Sequence, residues 1–538
     1  MVIGHNINAF DLVAVFGTDS NEPLQLAHEG RVYDTFTHAG LVHPAPSRYS
    51  NRFGRPRTVE KPDDLLVWFG LDEQAYQLGV SGKTDDLSTL ADEFGGYGRI
   101  PVDDPRYVAY LRGDVEASEQ VARALLKLGE LDSYALREQK IAARAAIISA
   151  NGVRLDEARA RARRHELKER REQVMDRLVR DYNFPTMGKS PWANNEGKRV
   201  TFEILAEHGI TPENRPDWPV TKTGNPSLGG DALVELTEGT PIEDVGQALA
   251  ELKGQRTLSQ LALDSVHTDG FVHPSISMLQ RSGRWSTTKP GLTVWTSRGD
   301  GAVEKAYFVP DTDDEVLLEI DLSNADARIV AALSGDRKYA ERFEPGADGH
   351  TINAIAAWGE AVVNTNPSYY RDRCKPLGHG WSYRGQPKAL AKAAGVPLAE
   401  ATTFKTSMDE EFNRVVAWQN ACTAEARRNG YVMSEWGRKM WVERGREYTQ
   451  APALKGQNGT REIVCDILLD LPVWALRRLK LQVHDALVFS VPRATFEQWR
   501  DYLTELMTRS FKPARGGQRI EFPVDAGPPG RNWQEASH

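Results

Sequence analysis

Two strings of this chain, DLSNADARIVAALSGD (Asp321 to Asp336) and LQVHDALVFSVP (Leu481 to Pro492), each set an aspartate at or beside the edge of an apolar, β-branched run. Val316 to Ile320 is a run of strand length, which puts Asp321 at its end. Leu481 to Val491 contains Val483, Leu487, Val488 and Phe489, and a hairpin or neighbouring strand there would bring His484-Asp485 opposite Asp321. Carboxylates at strand edges, distant in sequence and close in space, are what a two-metal phosphoryl-transfer site requires. An aspartate that ends a strand is more often only a turn former, so neither string decides the matter by itself.

A third string lies between them. In YRDRCKPLGHGWSYRG, beginning at Tyr370, the residues Arg371, Lys375, His379 and Tyr383 recur every four positions. On an α-helix this spacing stacks them on one slowly drifting face. Two cations, an imidazole and a phenol make a poor core face, and a solvated face has no need of the aromatic rings. The stripe therefore reads as a nucleotide-binding surface, with Arg and Lys for a polyphosphate and His and Tyr against sugar and base. Pro376, Gly378 and Gly380 are poor helix residues. A proline inside a helix removes one hydrogen bond and clashes with the carbonyl four residues back, here Asp372, at a cost of about 3 kcal/mol. A kink, or a helix that starts near Pro376, is expected.

The three strings together resemble motifs A, B and C of the family A DNA polymerases, the group of bacterial DNA polymerase I and several bacteriophage replicative enzymes. More segments match in family order. Ser282 to Thr287 (SGRWST) resembles the Gly-Arg-x-Ser segment that touches primer-template backbone, and Asp348-Gly349-His350-Thr351 resembles the Asp-x-His-Thr turn of the fingers. Thr221 to Ser227 (TKTGNPS) is similar to a stretch at the thumb's end, and Gly530-Arg531-Asn532-Trp533 to the family's C-terminus.

The resemblance implies an α/β multidomain chain with the right-hand polymerase fold: a palm built on an antiparallel sheet with helices on one face, and helical fingers and thumb. It places the thumb at 131–270, the palm at 271–335 and 431–538, and the fingers at 336–430. It implies that Asp321 and Asp485 bridge two Mg²⁺ ions, roughly 3.5 to 4 Å apart in such sites, with the Leu322 carbonyl completing one shell. Arg371, Lys375 and His350 would then meet the phosphates, with Lys375 a proton donor to the leaving group, while Asp326, His379 and Tyr383 line the nucleotide site. Arg284, Gln457 and His484 match positions that contact the duplex and primer end. Three residues depart from the family pattern: Asp326 stands where motif A usually has Glu, His379 where motif B has Phe or Tyr, and Ala486 where motif C has Glu.

The first 130 residues resemble part of a 3′ to 5′ exonuclease domain of the ribonuclease H-like kind. IGHNINAFDL carries Asn6 and Asp11 in the places of the second exonuclease motif, and Tyr110 and Asp114, one helical turn apart, match the third. A Tyr–Asp pair at that spacing is also what a plain helix face shows. The first motif, an Asp-x-Glu on a leading strand, would have to lie before residue 6. Met1 is therefore expected to fall inside an exonuclease fold that is catalytically silent.

Composition sets limits on these readings. A chain of 538 residues predicts several domains. No apolar run approaches a membrane span and no basic-then-apolar leader opens the chain, so a cytoplasmic protein is expected, in the host if phage-encoded. Cys374, Cys422 and Cys465 are far apart and form no CxxC pair, against both a disulfide scaffold and a zinc site. A net charge of −8 does not exclude DNA, because charge distribution matters more than its sum. The basic run Arg159 to Arg180, interrupted by Glu166, Glu169 and Glu172, is either a solvated helix laced with ion pairs or part of a DNA-facing surface.

The function expected is template-directed addition of dNTPs to a primer 3′ end in phage replication, without proofreading, by a monomer that has no obvious insertion for a processivity factor. The alternatives are a catalytically weak DNA-binding remnant, a nuclease, and a related polymerase using RNA template or rNTPs.

Overall fold

The strand that carries Asp321 organises the larger part of the molecule. In the computed structural model, β1 (Glu315–Leu322) lies inside a four-stranded sheet with β2 (Leu479–Val483), β3 (Ala486–Pro492) and β4 (Val524–Ala526), in the order β2-β3-β1-β4. Every pairing in it is antiparallel. Residues of both parities along β1, from Val316 to Ile320, are buried. Alternate side chains point to opposite faces, so the sheet is covered on both sides. Glu315 and Glu319 are tolerated there because they are paired. Glu315 accepts from Ser490 Oγ at 2.6 Å and from Arg478, and Glu319 from Trp533 Nε1 and Ser537 Oγ. The closing Gly530–Trp533 segment is thus a structural clasp, its Gly530 carbonyl accepting from Leu317 N at 2.8 Å.

The structure describes all residues except 84–86, 189, 222–223, 255–257, 296–298 and 538. It divides into two units, Met1–Arg154 with Phe271–His538, and Leu155–Gly270. Six helices of the larger unit carry the residues of interest: α1 (Pro105–Leu128), α2 (Ser133–Asn151), α3 (Ala325–Ser334), α4 (Gly349–Trp358), α5 (Pro367–Ser382) and α6 (Glu447–Asp470). At its N-terminal end Val2–Gly4 pairs in parallel with Val32–Asp34. Helix α2, assigned from sequence to the thumb, belongs to this unit, because its Arg137 and Glu138 are ion-paired with α6.

Helix α5 does not start near Pro376. It begins at Pro367, where a missing N–H costs nothing, and runs through Pro376 as one helix. The carbonyl deprived of its partner belongs to Asp372, which is exposed and so can be hydrated. The two glycines are there for close approach: a Cβ on Gly378 would lie 2.8 Å from Asn353 Nδ2 of α4, and one on Gly380 2.5 Å from Leu390 Cδ2. Buried Cys374, Leu377 and Trp381 hold the same side of α5 in the core.

The smaller unit is helical over most of its described length: Glu157–Tyr182, Asn195–Glu207, Gly230–Thr237, Glu243–Gly254 and Leu258–Ser265. Leu178, Trp192, Ile204, Leu233, Leu236 and Leu249 form its core. The basic run is the helix Glu157–Tyr182, and many of its cations meet carboxylates, as in Arg161–Glu157, Lys168–Glu172, Arg170–Glu251 and Arg177–Asp244. The solvated, ion-paired reading of that run is the one observed. In the Thr221 to Ser227 stretch, Thr221 N donates to Asn225 O at 2.8 Å, closing a turn; Lys222 and Thr223 lie outside the described residues. All three cysteines are free and buried. Among the described residues no helix is long and apolar enough to cross a membrane.

Candidate active site

His484 and Asp485 form the two-residue loop of the β2–β3 hairpin, with Val483 paired to Ala486. Tight hairpins of this length favour positive φ in the loop, and His484 has φ +58. The Asp485 carbonyl accepts from Leu322 N at 3.3 Å, and Asp321 sits opposite Ala486, so both aspartates come to neighbouring strand ends. Desolvation, followed by the carboxylates of Asp326 and Asp321, pushes the Asp485 carboxyl up to about 7. The His484 imidazole is lowered by desolvation and by Arg284.

Above this hairpin opens a cavity of about 610 Å³, whose lining includes Arg284, Asp326, His350, Arg371, Lys375, His379, Tyr383, His484 and Asp485. Residues read from five separate segments of sequence thus share one wall. Asp321 and Leu322 lie in the strand beside it, Leu322 with its side chain buried and only its backbone carbonyl to offer. Gln457 does not line the cavity. Thr460, three residues on and nearly one helical turn away, reaches the cavity only through Asp326, to whose Oδ1 its hydroxyl donates at 2.6 Å.

Asp326 stands in the first turn of α3, and Arg284 Nη2 lies 2.6 and 2.8 Å from its two oxygens. Burial opposes its charge, but Arg284 and the Thr460 hydroxyl prevail and hold the carboxyl below its usual range. Tyr383 follows the C-terminus of α5. Burial and then the charge of Asp326 raise its phenol well above the ordinary value. Its ring stands edge-on to His379, centroids 5.4 Å apart, and Gly456 of α6 makes room for it, since a Cβ there would lie 2.9 Å from Tyr383 Cε1.

In the same cavity Arg371 is oriented by Asp348, with Nε 2.7 Å and Nη2 3.4 Å from its carboxylate oxygens. Asp348 also caps α4 and accepts from Thr351 Oγ1 at 2.5 Å. Against partial burial, Thr351 and Arg371 hold it down to about 2. The His350 imidazole is lowered by burial and, against the pull of Asp348, by Arg371 and Lys375. Lys375 has a carboxylate, Asp372, at 3.6 Å. Thr460 and the orienting role of Asp348 do not follow from the motifs read in the sequence. The signal available for Thr460 is helical spacing from Gln457, and for Asp348 its place one residue before a helix start.

The N-terminal candidates divide. Asp114 and Tyr110 of α1 gather round Lys83, whose Nζ lies 2.6 Å from Asp114 Oδ1 and 2.9 Å from the Tyr110 hydroxyl. Asp11 is near enough that Asp114 and Lys83 both act on it; burial, first, and Asp114 raise its carboxyl. Asn6 is elsewhere. Its N–H donates to Asp34 at 2.8 Å, and it lines a separate cavity of about 290 Å³.

Among the described residues no group of three or more His, Cys, Asp or Glu side chains is arranged to hold one metal ion. The hairpin site offers two carboxylates and a carbonyl instead, which suits Mg²⁺, an ion that keeps several waters and takes its other ligands from phosphate. The Asp485 carboxyl is raised first by burial and then by the neighbouring carboxylates, and only the second of these is the electrostatic counterpart of that fit.

The chain is 26% identical over 500 residues to the DNA polymerase of Mycobacterium phage L5, covering 90% of this chain and 77% of that one. It is 29% identical over 500 residues to the thermostable DNA polymerase I of Thermus filiformis, covering 84% of this chain but only 57% of the Thermus protein. Among solved structures, the POL domain of Pol1 from M. smegmatis, in complex with DNA primer-template and dNTP, superposes with a TM-score of 0.67 at 21% identity, over 94% of this chain and 82% of that one. The overall fold, mixed in helix and sheet, is therefore that of a polymerase domain. The family model for DNA polymerase family A matches residues 202–535, more than half of the sequence. This chain belongs to DNA polymerase family A.

Proposed function

We propose that the chain is a template-directed DNA polymerase that adds dNTPs to a primer 3′ end, in phage replication, with Mg²⁺ held between Asp321 and Asp485. The observation that carries the reading is the meeting of Asp321 and Asp485 at the foot of a cavity whose wall presents Arg371, Lys375 and His350. When bound, a pair of divalent ions lowers the pKa of a primer hydroxyl and neutralises a triphosphate. The chain's own part is to place the reactants. Arg371, its guanidinium set by Asp348, and Lys375 bind the phosphates, and Lys375 is placed to return a proton to the leaving group. His379 and Tyr383 pack against the sugar and base, and Asp326 shapes the space beside the sugar. Arg284 and His484 face the primer end.

In the same reading the smaller unit holds most of the thumb, α4 and α5 belong to the fingers, and the β1–β4 sheet to the palm. Residues preceding α2 form an exonuclease-like module without proofreading activity, because Lys83 stands among the carboxylates that would otherwise receive a metal ion. The test is primer extension by Asp321→Ala and Asp485→Ala. Each variant should lose more than about a thousandfold in incorporation, since several kcal/mol of charge stabilisation disappear with a metal ligand. Duplex affinity should persist. Near-normal extension by either variant removes the assignment.

A further inference from the structure

A cluster of ionised side chains lies inside the larger unit and touches none of the proposed reactants. Glu138 of α2, 1% exposed, takes Arg461 of α6 on both oxygens, Nη1 on Oε1 and Nη2 on Oε2 at 2.6 Å each, and Arg438 Nη1 at 3.3 Å. Glu462 beside it accepts from the Tyr134 hydroxyl at 2.6 Å, Arg137 Nη1 at 2.5 Å and Asn458 Nδ2 at 3.0 Å. Buried ion pairs are weak stabilisers compared with apolar packing, because pairing does little more than offset desolvation. Such a cluster is better understood by what it fixes in place.

What it fixes is the turn before Arg284. Asn458 Nδ2 donates to Ser282 O at 2.8 Å, and Arg461 Nε donates to Gly283 O at 3.1 Å. From the other side the Arg438 guanidinium packs on Gly283 so closely that a Cβ there would lie 2.9 Å from its Cζ, and φ of Gly283 is +76. Two arginines that share the Glu138 carboxylate therefore grip Gly283, and the next residue sends its guanidinium to Asp326 in the cavity. A small rotation of this turn, carried along the length of an arginine side chain, would move the guanidinium away from both Asp326 oxygens.

We propose that Glu138, through Arg438 and Arg461, is a positioning residue for Arg284, fixing the angle at which that side chain enters the cavity and meets Asp326 and the primer end. The part concerning the primer rests on the function proposed above. The grip on Arg284 does not.

The test is a double-mutant cycle on the full chain with Glu138→Gln and Arg284→Ala, read as kcat/KM of primer extension with melting temperature alongside. Glu138→Gln should cost about tenfold in the wild-type background and less than about twofold once Arg284 is gone, as coupled positions do. Equal cost in both backgrounds would mean a general structural role and overturns the proposal. Should Arg284→Ala itself leave extension unchanged, the reading of Arg284 as a primer contact fails instead. The positioning claim is then decided by the Arg284 Nε–Hε NMR signal, which Glu138→Gln should shift or broaden in the folded protein; an unmoved signal overturns it. If Glu138→Gln does not fold, the same cycle is run with Arg438→Lys, which keeps a cation beside Glu138 but removes the planar guanidinium that packs on Gly283. Loss of its cost in the Arg284→Ala background supports the positioning role, and equal cost in both backgrounds overturns it.

Discussion

The two carboxylate clusters of this chain differ in the source of their compensating charge. At the β2–β3 hairpin, Asp485 is buried beside Asp326 and Asp321, and Arg284, a cation of that cavity, is committed to Asp326; burial first, then the two carboxylates, raise the Asp485 carboxyl to about 7. In the N-terminal module Asp114 has an ammonium of the chain itself, Lys83, at 2.6 Å, with Tyr110 on the same nitrogen. A count of acidic residues does not separate the two sites. What separates them is that burial and neighbouring carboxylates oppose the charge of Asp485 while Asp114 has an ammonium of the chain beside it, and under the proposed function that is the difference between a place that takes divalent ions and one that does not.

The largest effect beyond loss of the metal ligands is expected from pH in the N-terminal region, whose buried titratable groups are shifted toward their neutral forms. Burial lowers His5 and His38 each to about 4, while burial raises Asp34 to about 6. A histidine depressed in the folded state contributes stability that is present above pH 6.5 and lost as pH falls toward 4. A raised aspartate acts in the opposite sense, favouring the fold as pH falls from about 6 toward 4. Two histidines outweigh one aspartate, so hydrogen exchange at Val32–Asp34 should accelerate between pH 6.5 and 4, by a net of a few kcal/mol at about 1.4 kcal/mol per unit. Unchanged protection would mean that these groups titrate normally and the contrast between the two regions is weaker than drawn.

The cavity side of the contrast is sharpened by Arg371→Ala, which removes a charge-assisted contact of about 1.5 to 3 kcal/mol and should raise KM for dNTP roughly ten- to a hundredfold with a smaller change in affinity for duplex. Asp348→Asn should follow in the same direction and to a lesser degree, because it frees the guanidinium without deleting it. Equal KM values in steady-state extension would separate Arg371 from the phosphates.

A smaller effect is expected at the sugar. Asp326 is one methylene shorter than the family's glutamate, and Arg284 and Thr460 hold it beside Tyr383. Asp326→Glu should tighten the preference for dNTP over rNTP by about tenfold, the usual worth of a methylene in a shaped pocket. Unchanged selectivity would move the gate to His379. The smallest change belongs to Lys83→Met. Deleting a partly exposed ion pair should cost about 1 kcal/mol, and the melting temperature should gain a dependence on Mg²⁺ beyond the wild type's, one that persists in the Asp485→Ala background.

Much of the site is legible in the sequence because its residues sit at strand ends and on one helix face, where spacing fixes direction. Asp321, Asp485, Arg371 and Lys375 all stand out that way, and the structure brings them to one cavity wall or to the strand beside it. The departures share a cause as well. Pro376 and the glycines argue for a broken α5, but the cost is borne by an exposed carbonyl and by helices that approach closely at Gly378 and Gly380. Propensity yields to packing. Thr460 does not stand out in the sequence, because one string does not show which residue of α6 will meet Asp326. Neither Lys83 nor Glu138 can be singled out, since their partners lie far off in sequence, Asp114 for one and Arg461 for the other.

One reaction reads both clusters at once: a primer with a mismatched, labelled 3′ end, annealed to template and incubated with Mg²⁺ and dNTPs. The expected result is extension from the mismatch, slow but free of any shortening, lost in Asp485→Ala and unaffected by the pair Asp11→Ala, Asp114→Ala. Mg²⁺-dependent shortening that disappears in the Asp11→Ala, Asp114→Ala variant would show that the Lys83 cluster receives metal after all, and would contradict the distinction on which the two assignments rest.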